Sequence, residues 1–221
     1  MNIRLPFDRE AWKFAAFFAI VAILFSHVNA NLGWGGFIAT VCCLLFFRDP
    51  ERVHPQKKDI VLSPADGIVL KVSEGDAPAE LELKGDWKKV SIFMSIFNVH
   101  VNRAPVAGTV EKIVYTPGKF FNVTLDKASE YNERQATYLK TVDDVAVVFV
   151  QIAGLVARRI RCDIREGQEL KMGDRIGLIR FGSRVDVYFP KTATVFVEEG
   201  QVMVAGETIL AQLKTKNDEL L

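Results

Sequence analysis

The sequence predicts a mainly β fold: duplicated hairpin units forming a barrel- or sandwich-like domain, preceded by an apolar helical hairpin. Three observations carry that expectation. From about Ile60 onward, short alternating apolar runs are punctuated by glycine, the signature of strands joined by turns. Two short patterns recur. Pro64-Ala65-Asp66-Gly67-Ile68-Val69 resembles Pro105-Val106-Ala107-Gly108-Thr109-Val110, and the Gly-Gln…Gly-Asp pattern of residues 166–174 resembles the Gly-Gln…Gly-Glu pattern of residues 199–207. Finally, the hydrophobic excess of the 221-residue chain is concentrated in its first fifth.

Residues 12–28 and 33–47 are two apolar blocks separated only by Asn29, Ala30, Asn31 and Leu32. Each falls somewhat short of the ~20 residues a straight spanning helix needs, so a thin spanning hairpin and a re-entrant or interfacial one are both allowed. A buried helical hairpin is the alternative, but blocks so nearly free of charge favour the membrane. A cleaved signal peptide fits less well, because no small-residue cleavage site follows the first block and Trp12 and Trp34 stand where interface anchors would. Arg4, Arg9 and Lys13 precede the first block and Arg48, Arg52, Lys57 and Lys58 follow the second, which puts both ends on the cytoplasmic face of the cell membrane. Three regions follow: a membrane-associating hairpin over 1–48, a charged linker over 49–59 carrying Pro50 and Pro55, and a β-rich domain over 60–221.

Within that domain strands are predicted around Ile68–Val72, Val90–Met94, Val110–Val114, Val145–Ile152, Arg175–Ile179, Val185–Phe189, Thr194–Val197 and Thr208–Ala211. Residues 116–141, with Pro117-Gly118, Phe120-Phe121 and a polar run, break the pattern and read as a long loop, more often functional than idle.

Composition excludes several chemistries. With 28 Lys+Arg against 27 Asp+Glu there is no nucleic-acid footprint. Three cysteines, two of them adjacent, and three dispersed histidines give neither a disulfide framework nor a metal cluster, so any catalysis must do without a protein-bound metal.

The candidate chemistry starts at Gly182-Ser183, a small nucleophile at a bend before the alternating Val185, Val187 and Phe189. Gly-Ser is also a common turn composition. Asp66, before Gly67, reads alone as a turn residue, and His100, after the apolar Val99, as a strand-end histidine satisfying a backbone group. Together the three supply a nucleophile, a base and a carboxylate to orient it.

These residues carry a resemblance. Ser63-Pro64-Ala65-Asp66-Gly67, Phe97-Asn98-Val99-His100-Val101-Asn102-Arg103-Ala104-Pro105, Pro117-Gly118-Lys119-Phe120, Asn132-Glu133-Arg134, Ala157-Arg158-Arg159-Ile160 and Phe181-Gly182-Ser183-Arg184 stand in the order of the short form of phosphatidylserine decarboxylase. Phe47-Arg48-Asp49-Pro50 after the apolar hairpin extends the likeness over nearly the whole chain. Six blocks in register are far more specific than any one of them.

The resemblance implies a self-processing enzyme. Ser183 would attack the carbonyl of Gly182; elimination and hydrolysis would then leave a large chain, 1–182, and a small chain, 183–221, that starts with a covalent pyruvoyl group made from Ser183. The two products would stay together as a heterodimer. A Schiff base between that group and phosphatidylserine would release carbon dioxide and phosphatidylethanolamine. Asp66 and His100 carry over as acid/base machinery, with Asp66 fixing the tautomer of His100 or polarising Ser183. One departure stands out: many relatives show His-x-x-His-x-Pro, whereas this chain has Arg103 in place of the second histidine. Arg103, with Asn102 beside it, becomes a candidate for binding the lipid phosphate or the departing carboxylate. The competing reading is a membrane-tethered adaptor of the lipoyl-like type, with Gly182-Ser183 an inert turn.

Overall fold

A computed structural model describes residues 6–119, 123, 131–154, 159–180 and 182–214. The sequence features at Arg4, Phe120-Phe121, Ala157-Arg158 and Phe181 lie outside these.

Two helices form the N-terminal hairpin: α1, Arg9–Ser26, and α2, Ala30–Phe46. Asp8 caps α1 by accepting from the Glu10 N–H, and Asn29 caps α2 by accepting from the Asn31 N–H. Small residues let the helices approach closely: a Cβ on Gly36 would stand 2.6 Å from Ala22. At 18 and 17 residues the helices rise only ~27 and ~25 Å, and no helix among the described residues is long and apolar enough to cross a membrane. Their outer surfaces are nonetheless apolar, with Phe17, Ile20, Ile23, Leu24, Trp34, Phe37 and Ile38 all exposed.

Fourteen strands follow among the described residues. They are β1 Ile60–Leu62, β2 Gly67–Gly75, β3 Trp87–Met94, β4 Val101–Arg103, β5 Gly108–Thr116, β6 Arg134–Lys140, β7 Ala146–Ala153, β8 Ile160–Cys162, β9 Glu169–Leu170, β10 Arg175–Ile179, β11 Ser183–Pro190, β12 Thr194–Val195, β13 Val202–Met203 and β14 Ile209–Gln212. An eight-stranded sheet has the order β13-β2-β3-β11-β7-β6-β5-β9, and two three-stranded sheets run β1-β14-β12 and β4-β10-β8. The main core lies on one face of the large sheet, where Val90, Ile92, Met94, Phe149, Val185 and Val187 meet Ile176 and Leu210 of the small sheets. A second cluster around Trp87, Val148, Val150, Ile152 and Tyr188 covers the other face. The expected mainly β fold with its helical pair is what is found. The expected loop over 116–141 is corrected in part, because 134–140 is strand β6. Its inward positions include Gln135 and Thr137, so the apolar alternation that marks a strand is missing there.

The repeats mark two matching half-sheets, β13-β2-β3-β11 and β9-β5-β6-β7. Each starts at a glycine where a side chain cannot fit: a Cβ on Gly67 would stand 2.0 Å from the Phe93 carbonyl oxygen, and one on Gly108 2.3 Å from that of Lys140. Each first strand shifts register at the same place, between Val69 and Lys71 or between Val110 and Lys112. Each is closed by the same pair of backbone bonds: Val69 N–H to Gln201 O with Gly200 N–H to Val69 O, and Val110 N–H to Gln168 O with Gly167 N–H to Val110 O.

The hairpin base is bolted to this domain. Arg161 grips Asp8 at 2.6 and 2.7 Å, Arg180 grips Glu10 at 3.0 and 2.8 Å, and Ala11, Phe46 and Phe47 pack on Val99, Val101 and Leu178. The linker is equally well held, since buried Asp49 pairs with Arg103 at 3.2 Å and with Arg175 at 2.6 Å.

Candidate active site

Ser183 opens β11 in the middle of the large sheet, opposite Met94 of β3 on one side and Ala153 of β7 on the other. Residues paired across antiparallel strands project to the same face, so its side chain joins Met94 and Ala153 on the core face. Gly182 has φ +60°, a conformation that favours glycine, which turns the chain sharply into the strand. Its carbonyl rests against the backbone of Gly154: a Cβ there would stand 1.9 Å from the Gly182 oxygen. Two glycines thus fix the orientation of the carbonyl that precedes the serine.

His100 enters from the small sheet. It precedes β4, and its carbonyl accepts from the Ile179 N–H at 3.4 Å, at the end of β10. Asn102, within β4, donates to the sulfur of Met94 at 3.7 Å and accepts from Gln151 at 2.8 Å. Met94 is paired with Ser183, and Gln151 with Val185. Asn102 therefore sits over the start of β11, with His100 two residues before it in the chain. The Asn102 and Gln151 amides continue to Gln135 at 3.4 Å, a buried polar chain beneath the serine.

The imidazole is fully buried and its tautomer is set. Nδ1 lies 2.9 Å from the Asn98 carbonyl, which can only accept, so Nδ1 carries the proton and Nε2 is left with a free lone pair. Asn98 is held in turn by its side chain, which accepts from both the backbone N–H and the hydroxyl of Ser95 at 2.8 Å. Burial pulls the pKa down to about 4, opposed by the Asn98 carbonyl and assisted by the nearby Arg48 cation. The ring of Phe46, at the end of α2, lies 4.2 Å from the imidazole, so the hairpin forms part of the wall. Among the described residues five buried side-chain polar atoms have no hydrogen-bond partner, and Ser183 Oγ and His100 Nε2 are two of them. An orphan buried polar atom costs about 1–3 kcal/mol, so each of these calls for a reason other than stability.

The other sequence candidates are placed differently. Asp66 does not orient His100, a task performed by the Asn98 carbonyl, and no bond joins it to Ser183. Its carboxylate forks onto Arg52 at 3.0 and 2.8 Å and accepts from the Ala205 N–H at 2.8 Å. Arg103 is buried, with its guanidinium directed to Asp49, the Pro50 carbonyl and the Gly173 carbonyl, so it fastens the linker rather than presenting a charge to a ligand. Asn102 bridges the two sheets. Sequence reasoning missed Gly154, Asn98 and Gln151. Asn98 and its partner Ser95 form a recognisable turn pair, whereas nothing local distinguishes Gly154 or Gln151. Also missed was the pair behind the serine: Arg184 binds Asp186 at 2.6 and 3.0 Å and Ser91 at 2.9 Å on the opposite face of β11. No cluster of three metal-ligating side chains occurs among the described residues.

A duplicated β-sheet domain with a buried serine after a glycine and a buried histidine held in its Nδ1–H tautomer is the class of protein these features define. A family model described as phosphatidylserine decarboxylase matches residues 39–211. The chain is 52% identical over 213 residues to phosphatidylserine decarboxylase proenzymes of Rickettsia typhi and Rickettsia prowazekii, covering 96% of this chain and 92% of each relative. It is 53% identical over 210 residues to that of Rickettsia felis, covering 94% and 90%. The chain belongs to the phosphatidylserine decarboxylase family.

Proposed function

We infer that the chain is a proenzyme that cuts itself between Gly182 and Ser183 and then converts phosphatidylserine to phosphatidylethanolamine at a membrane surface. The single observation that carries this reading is the buried, unpartnered Ser183 Oγ directly after a carbonyl seated against a second glycine. The names of the relatives, proenzymes of a decarboxylase, supply the substrate.

In this reading Nε2 of His100 accepts the Ser183 hydroxyl proton as Oγ attacks the Gly182 carbonyl carbon. The C–N bond breaks and an ester links Gly182 to the serine oxygen. Loss of the serine α-proton expels Gly182 as a carboxylate. The dehydroalanine left at position 183 takes up water and releases ammonia, so the small chain begins with a pyruvoyl group. No outside oxidant is needed, since the elimination itself supplies the change in oxidation level. The pyruvoyl carbonyl supplies the electron sink that carbon dioxide loss from an amino acid requires. Position 183 suits such a group because it lies under Asn102 in an interior closed to bulk water. Asn102 would then help position the bound headgroup. His100 stays neutral well below physiological pH and so remains able to accept a proton. Asp66 serves by pinning Arg52 and Ala205 beside Gly67, at the start of the strand that pairs with β3.

One feature favours a membrane location: the apolar outer surface of the helical hairpin, which suits a hairpin lying in one leaflet. Because β11 is hydrogen-bonded on both sides, the two products would remain one body.

Ser183→Ala tests the reading. The variant should stay a single chain of full-length mass with no decarboxylase activity, while wild type yields a small fragment that is blocked to N-terminal sequencing and reactive toward a carbonyl reagent. Cleavage of the variant at the same bond would sink the mechanism.

A further inference from the structure

Between the helical hairpin and residues 96–97 lies a cavity of about 510 Å³, walled by Phe14, Phe18, Ala39, Cys43, Phe46 and Phe97. Arg48 is the one charged residue in its lining. The Arg48 guanidinium donates to the Leu45 carbonyl at 2.7 Å and to the Phe97 carbonyl at 2.6 Å, and among the described residues it pairs with no carboxylate. It differs in this from Arg9, Arg52, Arg103, Arg134, Arg161, Arg175, Arg180 and Arg184, each of which has an acidic partner. Ile96 and Phe97, beside the rim, are 51% and 80% exposed, an unfavourable display in water that an apolar medium would relieve. The cavity wall at Phe46 is also the ring that lies against His100.

We propose that this cavity holds an acyl chain of an anionic phospholipid, with the lipid phosphate on Arg48 and the headgroup directed past Phe46 toward His100. The identification of that lipid with the substrate rests on the decarboxylase reading; the binding of the lipid does not. Charge complementarity fixes the occupant: an unpaired guanidinium at the mouth of an otherwise apolar pocket matches a diester phosphate at the root of a hydrocarbon chain. It also gives the phosphate contact, expected from the sequence at Arg103, to an arginine whose charge is free to make it.

The test uses the full-length Ser183→Ala chain in phosphatidylcholine vesicles doped with a phosphatidylserine bearing a diazirine on one acyl chain. Photolysis and peptide mapping should place the label on residues 39–47 and 96–97. Arg48→Gln should lower that labelling about tenfold and Arg48→Lys should largely restore it, while Ala39→Phe, which fills the pocket without touching the charge, should abolish it. Label spread over the outward residues Phe17, Ile20 and Trp34 and indifferent to Arg48 would mean bulk bilayer contact and would overturn the proposal. In the processed wild-type enzyme, Ala39→Phe should raise KM about tenfold for long-chain phosphatidylserine and less than twofold for chain-free glycerophosphoserine; equal effects on both would also overturn it. Should wild type prove unprocessed or inactive, the decarboxylase reading fails, and the photolabelling still decides the lipid site.

Discussion

The two half-sheets of the domain share their entry glycines, their bulges and their closing turns, yet only one carries the candidate chemistry. In the second half, β6 and β7 form an ordinary hairpin, closed at one end by Thr141 N–H bonding to Val145 O. In the first half the corresponding strands, β3 and β11, pair over their full length, but the chain does not turn between them. It leaves Met94, builds the entire second half, and returns at Ser183. The candidate site occupies the end that this detour leaves open, where β4 and His100 enter. The lesson is that a duplicated fold acquires a reactive centre where its connectivity departs from the repeat, because a tight turn there would have filled the space.

The sharpest way to break that comparison is at the carbonyl seat. Gly154→Ala puts a methyl group 1.9 Å from the Gly182 oxygen. The carbonyl must move, and a displacement of about 1 Å can cost ~100-fold in rate. Self-cleavage followed by intact mass over hours should slow by about that factor; cleavage at the wild-type rate would show that the seat is irrelevant. A matched pair tests the likeness instead. Gly67→Ala and Gly108→Ala meet equivalent carbonyls and should each cost about 3 kcal/mol in denaturant unfolding of the Ser183→Ala chain. If one is tolerated, the halves are not equivalent in energy.

Arg103→Met should cost about 3 kcal/mol as well, because it removes one of the guanidinium partners of buried Asp49, while KM for the lipid stays within twofold. A large rise in KM at unchanged stability would return Arg103 to the ligand. The smallest effect is a pH dependence. The folded state holds the His100 pKa down at about 4, against 6.5 ordinarily, so between those values the unfolded chain binds more protons. Stability should therefore fall as pH drops from about 6.5 to about 4 and be unaffected by this group above that. In the Ser183→Ala background, His100→Gln should flatten that part of a Tm-versus-pH curve. The acid limb of wild-type self-cleavage should lie near pH 4 rather than 6.5.

Much of this was legible in the chain. Glycine-punctuated alternation located most of the strands, and the Pro-x-x-Gly and Gly-Gln repeats located the two halves, because both patterns are local consequences of strand and turn geometry. Strand β6 was hidden because Gln135 and Thr137 face inward, where the pattern requires apolar residues. Ser183 and His100 could be picked out by residue type and position. Their surroundings could not: the seat at Gly154 and the Asn102–Gln151 bridge are contacts between distant segments, and a single sequence read alone says nothing of them. The partners of Asp66 and Arg103 were hidden for the same reason. A charged residue in a suggestive block looks free until the partner that occupies it, Arg52 or Asp49, is seen.

The central position of β11 has a further consequence. Residues 183–214 contribute a middle strand to the large sheet, an edge strand to the same sheet and two strands to a small one, so they are woven through the domain rather than attached to it. A chain cut before Ser183 would have folded as one molecule and would persist as two. Once unfolded, it could recover only by a second-order encounter of its pieces, at a rate set by concentration, instead of by the first-order search that formed it. Maturation would thus make the fold a historical state: retained kinetically, dilution-sensitive on denaturation, and reached reliably only through the uncut precursor.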